Sequence, residues 1–217
     1  LKTELRRLLV DFRTNPGAMV QPERYARGAA EIEKWLTFRQ DQITRLTAEV
    51  YRNLRERNRR ASTDLTFWLN LWPPAFAWLL GQNYRELGLF CDGAKHFPYH
   101  RLGGGADLGG LVEKMTGNED DREGLREALF RLVMRVLALP YPLSFDNFMA
   151  EGFPVDFVAA QTAEAKRKFD GKPIFSGIQI WDTPMEEIER ACTAGSMGGA
   201  DGFFFYCYGW ATLEALD

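Results

Sequence analysis

Four short runs of large apolar residues alternate with segments of helical periodicity, and this alternation constrains the fold most. The runs cover residues 65–72, 89–95, 173–181 and 201–208. Strands that are apolar on both faces are typical of parallel sheets, which are buried on both sides. Parallel neighbours also need a crossover connection, which is usually a helix. The pattern therefore predicts an α/β fold built from parallel β/α units.

The segments around these runs carry apolar residues at helical spacing. Helices are predicted at 2–13, 22–58, 75–87, 121–138, 154–169, 183–194 and 210–216, and 139–153 is predicted to be irregular. The helix that begins near residue 183 has a clear start signal. Thr183 is predicted as its N-cap, Pro184 as its first residue and Glu186 as its capping-box acid.

The sequence favours a barrel over an open doubly wound sheet. None of the four runs is followed by a Gly-x-Gly-x-x-Gly phosphate loop, and the Gly103–Gly105 loop lies beyond a Pro and a Tyr-His pair. The runs are aromatic and end in polar residues, as expected at a barrel rim. An open sheet of four such apolar strands would leave two unprotected edges. Four further strands would close it.

Composition and charge exclude several classes of partner. No apolar run approaches the ~20 residues that span a bilayer, so no membrane partner is expected. The net charge is −3, although residues 1–60 carry 12 Arg and 2 Lys against 8 acidic residues. A basic stretch can mark a nucleic-acid surface. Here the bases alternate with acids on a predicted solvated helix face, so no nucleic acid is expected.

The sequence also bears on compartment, cysteine chemistry and metals. The chain begins Leu1-Lys2-Thr3 without an initiator Met or a visible signal peptide, so residues are expected to be missing before Leu1 and the compartment stays open. Three widely spaced cysteines, without a Cys-x-x-Cys pair, predict no disulfide framework. His96 and His100 are the only histidines, and Pro98 argues against a helical metal pair between them. No metal and no cofactor is expected.

Three segments resemble strand regions of a poorly characterised group of glycoside hydrolase-like TIM-barrel proteins. Gly88–His100 resembles the sixth-strand region of that group, Lys172–Thr183 the seventh and Gly199–Leu216 the eighth. The helix Trp35–Arg55 is similar to the helix after strand four. The resemblance implies that residues 1–217 form a single α/β domain, the C-terminal half (strands five to eight) of a (β/α)8 TIM-type barrel. Residues 1–60 would be its helical N-terminal segment.

The resemblance implies a glycoside hydrolase that acts on an oligo- or polysaccharide at the carboxyl ends of its strands. Retaining enzymes of the large TIM-barrel clan use one Glu after strand four and another after strand seven. The strand-seven position here is Gln179, and an amide cannot serve as a carboxylate nucleophile. Three alternatives follow: another carboxylate serves, the register differs, or the chain is a non-catalytic carbohydrate-binding or structural barrel. A barrel lyase or isomerase that uses Lys95 as base or Schiff-base nucleophile is a further alternative.

The rule that TIM-barrel sites lie at the carboxyl ends of the strands selects the candidate residues. Asp92 and Asp182 are the predicted catalytic carboxylates. The predicted sugar-binding residues are Asn70, Trp72, Lys95, Tyr99, His100, Gln179, Trp181, Tyr208 and Trp210. Each has a structural alternative: core filling for the aromatic residues, an ion pair for Asp92 and Lys95, and support of a helix start for Asp182. Besides a carbohydrate, the expected partner is a second copy or a missing N-terminal half-barrel.

Overall fold

The computed structural model describes residues 22–101, 107–116, 122–206 and 209. These residues form an α/β fold with one parallel four-stranded sheet, as predicted. The strands are β1 (Trp68–Leu71), β2 (Gly93–His96), β3 (Ile174–Gln179) and β4 (Gly202–Tyr206). The α-helices are α1 (Pro22–Ala61), α2 (Pro74–Ala77), α3 (Tyr84–Leu87), α4 (Leu108–Thr116), α5 (Arg122–Val136), α6 (Phe145–Glu151), α7 (Asp156–Lys168) and α8 (Met185–Met197).

The strands lie in the sheet in the order in which they occur in the chain, β1-β2-β3-β4, and all neighbours are parallel. A doubly wound sheet reverses its strand order at a switch point, and the four described strands show no reversal. Crossovers between parallel strands are right-handed in nearly all proteins. A sequential order therefore puts the connecting helices on one side of the sheet.

The pairing register divides the strand side chains into two faces. The first face carries Leu71, Ala94 and Ile174, which pack with α3 and α7 in one core cluster, and Ile178, which packs with α8 in another. The second face carries Trp68, Asn70, Gly93, Lys95, Phe175, Gly177, Gln179, Gly202, Phe204 and Tyr206. Within the described residues, none of these ten belongs to a core cluster. We call this the open face.

A third core cluster lies among the helices α4 to α7, between β2 and β3 in the chain. It includes the buried aromatic residues Phe130, Phe145, Phe148, Phe153 and Phe157. The rings of Phe153 and Phe157 are stacked, with centroids 4.5 Å apart. The helix α4 and the helix α6 were not predicted. Ser144 caps α6 by accepting a hydrogen bond from the Asn147 amide, so part of the segment 139–153 is helical rather than irregular.

The long helix α1 matches the predicted span 22–58 to within a few residues and packs against the connection between β1 and β2. Arg39 donates to the Leu79 carbonyl oxygen at 2.7 Å, and Thr44 donates to Glu86 at 3.0 Å. No helix in the described part of the chain is both long enough and apolar enough to cross a membrane.

Several predicted boundaries were wrong. The predicted helix 75–87 is broken at Gly81, which has a φ of 77° that favours glycine. The predicted helix start at Thr183 was also wrong: α8 begins at Met185 after an N-cap Pro184, and the Thr183 hydroxyl donates to the Trp181 carbonyl oxygen instead. The predictions for 2–13, Gly103–Gly105 and 210–216 lie outside the described residues.

Candidate functional site

The carboxyl ends of the four parallel strands lie at one edge of the sheet, which we call the carboxyl edge. In parallel α/β proteins, ligands bind at this edge. The side chains that reach it from the open face come from Asn70, Lys95, Gln179 and Tyr206. The candidate site is therefore built from this edge and the open face beneath it.

Aromatic rings lie flat against glycines on the open face. A Cβ atom on Gly93 would come within 2.8 Å of the Trp68 ring, and one on Gly202 within 2.9 Å of the Phe175 ring. The Trp68 and Phe175 rings meet edge to face, with centroids 4.9 Å apart. The absence of side chains at these glycines lets the rings cover the sheet backbone, so this part of the open face is an aromatic surface.

The aromatic surface continues to the carboxyl edge through a pair of tyrosines. The rings of Tyr99 and Tyr206 are stacked, with centroids 4.8 Å apart and planes 20° apart. Tyr99 also covers Gly177, where a Cβ atom would lie 2.9 Å from the Tyr99 ring. Tyr99 is buried, whereas Tyr206 is 44% exposed. Tyr206 thus presents a ring that a ligand can reach, and Tyr99 supports it from below.

Lys95 is half-buried in the middle of the open face. Its Nζ atom lies 3.8 Å from the centroid of the Phe204 ring and 5.6 Å from that of Phe97. The Cα atoms of Asn70 and Lys95 are paired in the register, so their side chains are neighbours on this face. Lys95 is the one charged residue among the ten strand residues of the open face.

Gln179 is buried at the carboxyl end of β3, next to Tyr206 in the register. Its Nε2 atom donates to the Trp181 carbonyl oxygen at 2.9 Å. Its Oε1 atom is buried and has no hydrogen-bond partner among the described residues. A buried acceptor without a donor costs about 1–3 kcal/mol, so a hydroxyl group at this edge would gain by donating to it.

Asp92 lies at the opposite end of the strands, where their amino ends meet, which we call the amino edge. The strand predicted at 89–95 begins only at Gly93, after a 3-10 turn at Gly88–Phe90, because pairing with β1 starts at Trp68. Asp92 therefore precedes its strand, at the amino edge, and not at the carboxyl edge as predicted. Its carboxylate pairs with Arg55 and accepts the Phe67 amide at 2.7 Å.

Asp201 repeats this arrangement one strand pair further along the sheet. It also precedes a strand glycine, accepts the Ile174 amide at 2.7 Å and pairs with Lys166 at 2.7 Å. Two Asp-Gly dipeptides at strand starts thus make the same contacts at the amino edge. This repetition indicates that Asp92 stabilises the sheet. The carboxylate of Asp92 is therefore not the partner of the Lys95 ammonium group.

Asp182 follows β3 and is exposed. Its φ of 52° lies in the left-handed region, where Asp is one of the more frequent non-glycine residues. The structure thus places this predicted carboxylate beyond the carboxyl edge, two residues before the N-cap of α8. The structural alternative for Asp182 was support of a helix start, directly before a capping box at Thr183, and Thr183 does not cap the helix.

His100 pairs with a residue that the sequence did not single out. Its Nε2 atom lies 2.7 Å from Glu187 Oε1, and Arg190 donates to the other Glu187 oxygen at 2.8 Å. Burial lowers the pKa of His100, and the hydrogen bond that the ring donates to Glu187 partly offsets this. Glu187 reaches His100 from the first turn of α8, a contact that only the folded chain creates.

The remaining predicted site residues are placed as follows. Trp72 is half-buried between two core clusters, and its carbonyl oxygen accepts the Tyr84 hydroxyl at 2.7 Å. Asn70 is exposed on the open face, and Trp181 is partly buried beyond β3. Tyr208 and Trp210 lie outside the described residues.

The two histidines do not meet at a metal site. His96 is on the first face of the sheet and is fully buried, with its Nε2 atom 3.1 Å from Thr162 Oγ1. The described residues contain no group of three or more His, Cys, Asp or Glu side chains that could hold a metal ion. Cys91 and Cys192 are free thiols. Burial raises the pKa of Cys91 to about 11, so its thiol stays protonated at neutral pH.

Two grooves of the described surface are not lined by any of the four side chains of the carboxyl edge. One has a volume of about 580 Å³ and is lined by Arg131, Arg135, Tyr141 and neighbours in 139–144. The other, of about 680 Å³, runs along α1 beside Val50, Leu54 and Arg57.

Comparison of the chain with protein-family models, characterised proteins and solved structures found no significant match.

Proposed function

We propose that the open face binds an oligo- or polysaccharide, in a protein of the glycoside hydrolase-like type that the strand segments resemble. The observation that carries this proposal is the set of exposed aromatic rings on a sheet face that no core cluster of the described residues covers. Trp68, Phe204 and Tyr206 are 38%, 44% and 44% exposed. Sugar rings present flat apolar faces that stack on such rings, and the amides of Asn70 and Gln179 suit sugar hydroxyls.

The proposal includes the fold as half of a (β/α)8 barrel, because the open face would then be the barrel interior. The sequential parallel strand order supports this, as do the core clusters on the first face alone. Four further parallel β/α units would pair with the free edges of β1 and β4. They would pack against the lower part of the aromatic surface as barrel core and leave its carboxyl edge, with Gln179 and Tyr206, as one wall of the barrel mouth.

The test compares Tyr206→Ala with Phe205→Ala. These neighbours in β4 have similar exposure, 44% and 49%, but point to opposite faces of the sheet. Binding is first located on a panel of immobilised glycans and then measured by titration. Covering an exposed aromatic ring contributes about 1–2 kcal/mol, so Tyr206→Ala should weaken binding about 5- to 30-fold. Phe205→Ala should leave the affinity unchanged.

Equal losses in the two variants would refute binding at the open face. The absence of any glycan ligand for the wild-type chain would refute the proposed function.

Hydrolysis is the second candidate function, with Asp182 as a catalytic carboxylate. It is favoured by the exposure of Asp182 beyond the carboxyl edge. Asp170 offers a matched control, because it is also exposed and has a similar left-handed φ of 48°, but it precedes β3 at the amino edge. Release of reducing ends from a bound glycan should stop in Asp182→Asn and persist in Asp170→Asn.

Two further results would decide for the non-catalytic alternative. One is binding without release of reducing ends by the wild-type chain. The other is activity that is gained only in Gln179→Glu, which would identify a lapsed enzyme in which an amide has replaced the nucleophile.

A further inference from the structure

The open face carries an uncompensated positive charge. Lys95 is the one charged residue among its ten strand residues. The contacts recorded for the Nζ atom are the ring faces of Phe204 and Phe97. In the described part of the chain, no carboxylate lies within ion-pair distance of it. The ring faces attract the cation but do not neutralise it.

Three carboxylates at the ends of the sheet already have other partners. Asp92 and Asp201 lie at the amino edge and pair with Arg55 and Lys166. Glu187, at the start of α8, accepts hydrogen bonds from His100 and Arg190. None of these three groups therefore serves as the counter-ion of Lys95, so within the described part of the chain the ammonium group is available to an anion from outside.

The surroundings of Lys95 limit the kind of anion. Asn70 lies beside it on one side and is exposed, and the half-exposed ring of Phe204 lies beneath its Nζ atom. A ring face suits the apolar face of a sugar, an amide suits a hydroxyl, and an ammonium suits a carboxylate or sulfate. A small inorganic anion would use only the ammonium group.

We infer that Lys95 binds an anionic substituent of an acidic carbohydrate, a carboxylate or a sulfate, while Asn70 and the exposed aromatic rings of the open face contact the sugar. This inference rests on the proposed carbohydrate-binding function and adds the charge class of the ligand. Lys95 acts here as a residue that determines specificity and takes no part in bond cleavage.

The test measures binding of matched tetrasaccharides to the full chain. Tetramers of glucose, mannose and galactose are each used in neutral, uronic acid and 6-sulfated forms. The variants are Lys95→Met, which removes the charge and keeps most of the length of the side chain, and Lys95→Arg, which keeps the charge. Lys114→Met serves as the control for net charge, because Lys114 is exposed on α4. Circular dichroism confirms that each variant is folded.

The wild-type chain should bind an acidic form at least about tenfold more tightly than the neutral form, as expected for a charge-assisted hydrogen bond. Lys95→Met should lose this preference, whereas Lys95→Arg and Lys114→Met should keep it. Whether the uronic acid or the 6-sulfated form binds more tightly than the neutral form distinguishes a carboxylate from a sulfate.

Two outcomes would overturn the inference and leave the proposed function intact. One is equal binding of the neutral and acidic forms by the wild-type chain. The other is an acidic preference that persists in Lys95→Met. If no form binds, the proposed function is refuted and the inference with it.

Discussion

Acidification should destabilise the fold through His96, which is buried as a neutral imidazole. The ring is 0% exposed, and Nε2 lies 3.1 Å from Thr162 Oγ1, whose hydroxyl donates to Ser176 Oγ at 3.3 Å. Nε2 therefore carries the proton and donates to Thr162. The other ring nitrogen, Nδ1, is buried and has no partner among the described residues. A proton on Nδ1 would create a buried charge without a counter-ion.

The size of the effect follows from the difference in pKa between the folded and unfolded states. Burial lowers the pKa of His96 from 6.5 to about 3. Between about pH 6.5 and pH 3, His96 is thus protonated in the unfolded chain and neutral in the folded chain. The contribution of neutral His96 to the unfolding free energy is fully present above pH 6.5 and falls by about 1.4 kcal/mol per pH unit below it. The loss reaches about 3 kcal/mol at pH 4.5. This is a large part of the unfolding free energy of a typical domain, which is about 5–15 kcal/mol.

The assay is urea unfolding of the wild type and His96→Gln between pH 7.5 and 4.5. The amide of Gln cannot titrate in this range. The difference in unfolding free energy between the two proteins should be constant above pH 7 and should shift by about 3 kcal/mol by pH 4.5. His100→Gln is a parallel control for the second histidine, whose pKa is also lowered by burial. Parallel curves for the wild type and His96→Gln would refute the reasoning.

Three further predictions concern single residues. Gly177→Ala should lower the unfolding free energy by about 1–3 kcal/mol through overpacking, because its Cβ atom would lie 2.8 Å from the His96 carbonyl oxygen and 2.9 Å from the Tyr99 ring. The control Gly209→Ala should change the unfolding free energy by less than about 0.5 kcal/mol, because no described atom lies within 4 Å of its Cβ position. Asp92→Asn should cost about 1–2 kcal/mol of stability in chemical denaturation and leave glycan affinity unchanged, and a selective loss of affinity would restore its catalytic candidacy. Glu187→Gln should lower the pKa of His100 in an NMR titration, since the carboxylate raises that pKa, and an unchanged pKa would show that burial alone sets it.

The sequence predicted the elements that depend on local periodicity. The four apolar runs became four parallel strands, and the helix of 22–58 was found as α1, because apolar spacing alone separates the two periods. The parallel sheet followed from runs that are apolar on both faces. These features need no knowledge of which elements meet in the fold.

The position of Asp92 depends on where strand pairing begins, which the sequence does not reveal. The apolar residues of 89–91 suit a strand, yet the 3-10 turn at Gly88–Phe90 precedes it and Gly88 packs against the Phe169 ring. A shift of four residues at the strand start moves Asp92 from one edge of the sheet to the other. One early sign was the Asp-Gly dipeptide, which Asp92-Gly93 shares with Asp201-Gly202.

The candidate site was found through a rule about sheet edges, and its details needed tertiary contacts. Lys95, Tyr99 and Gln179 lie at or near the carboxyl half of the open face, where the rule placed them. The partner of His100 could not be found this way, because Glu187 lies 87 positions later in the chain. An acidic residue in the first turn of a helix is expected from the helix dipole alone. The position of Glu187 therefore gave no sign of its contact with His100.

The sequential strand order also sets the order in which contacts can form during folding. About 20 residues separate β1 from β2 and β3 from β4, but nearly 80 separate β2 from β3, so closing the central pair costs about 1 kcal/mol more chain entropy than closing either outer pair. The intervening helices α4 to α7 contain a core of their own, and its formation shortens that effective loop. We therefore expect the outer strand pairs and the helical core to form early and the pairing of β2 with β3 to come last, as the rate-limiting step.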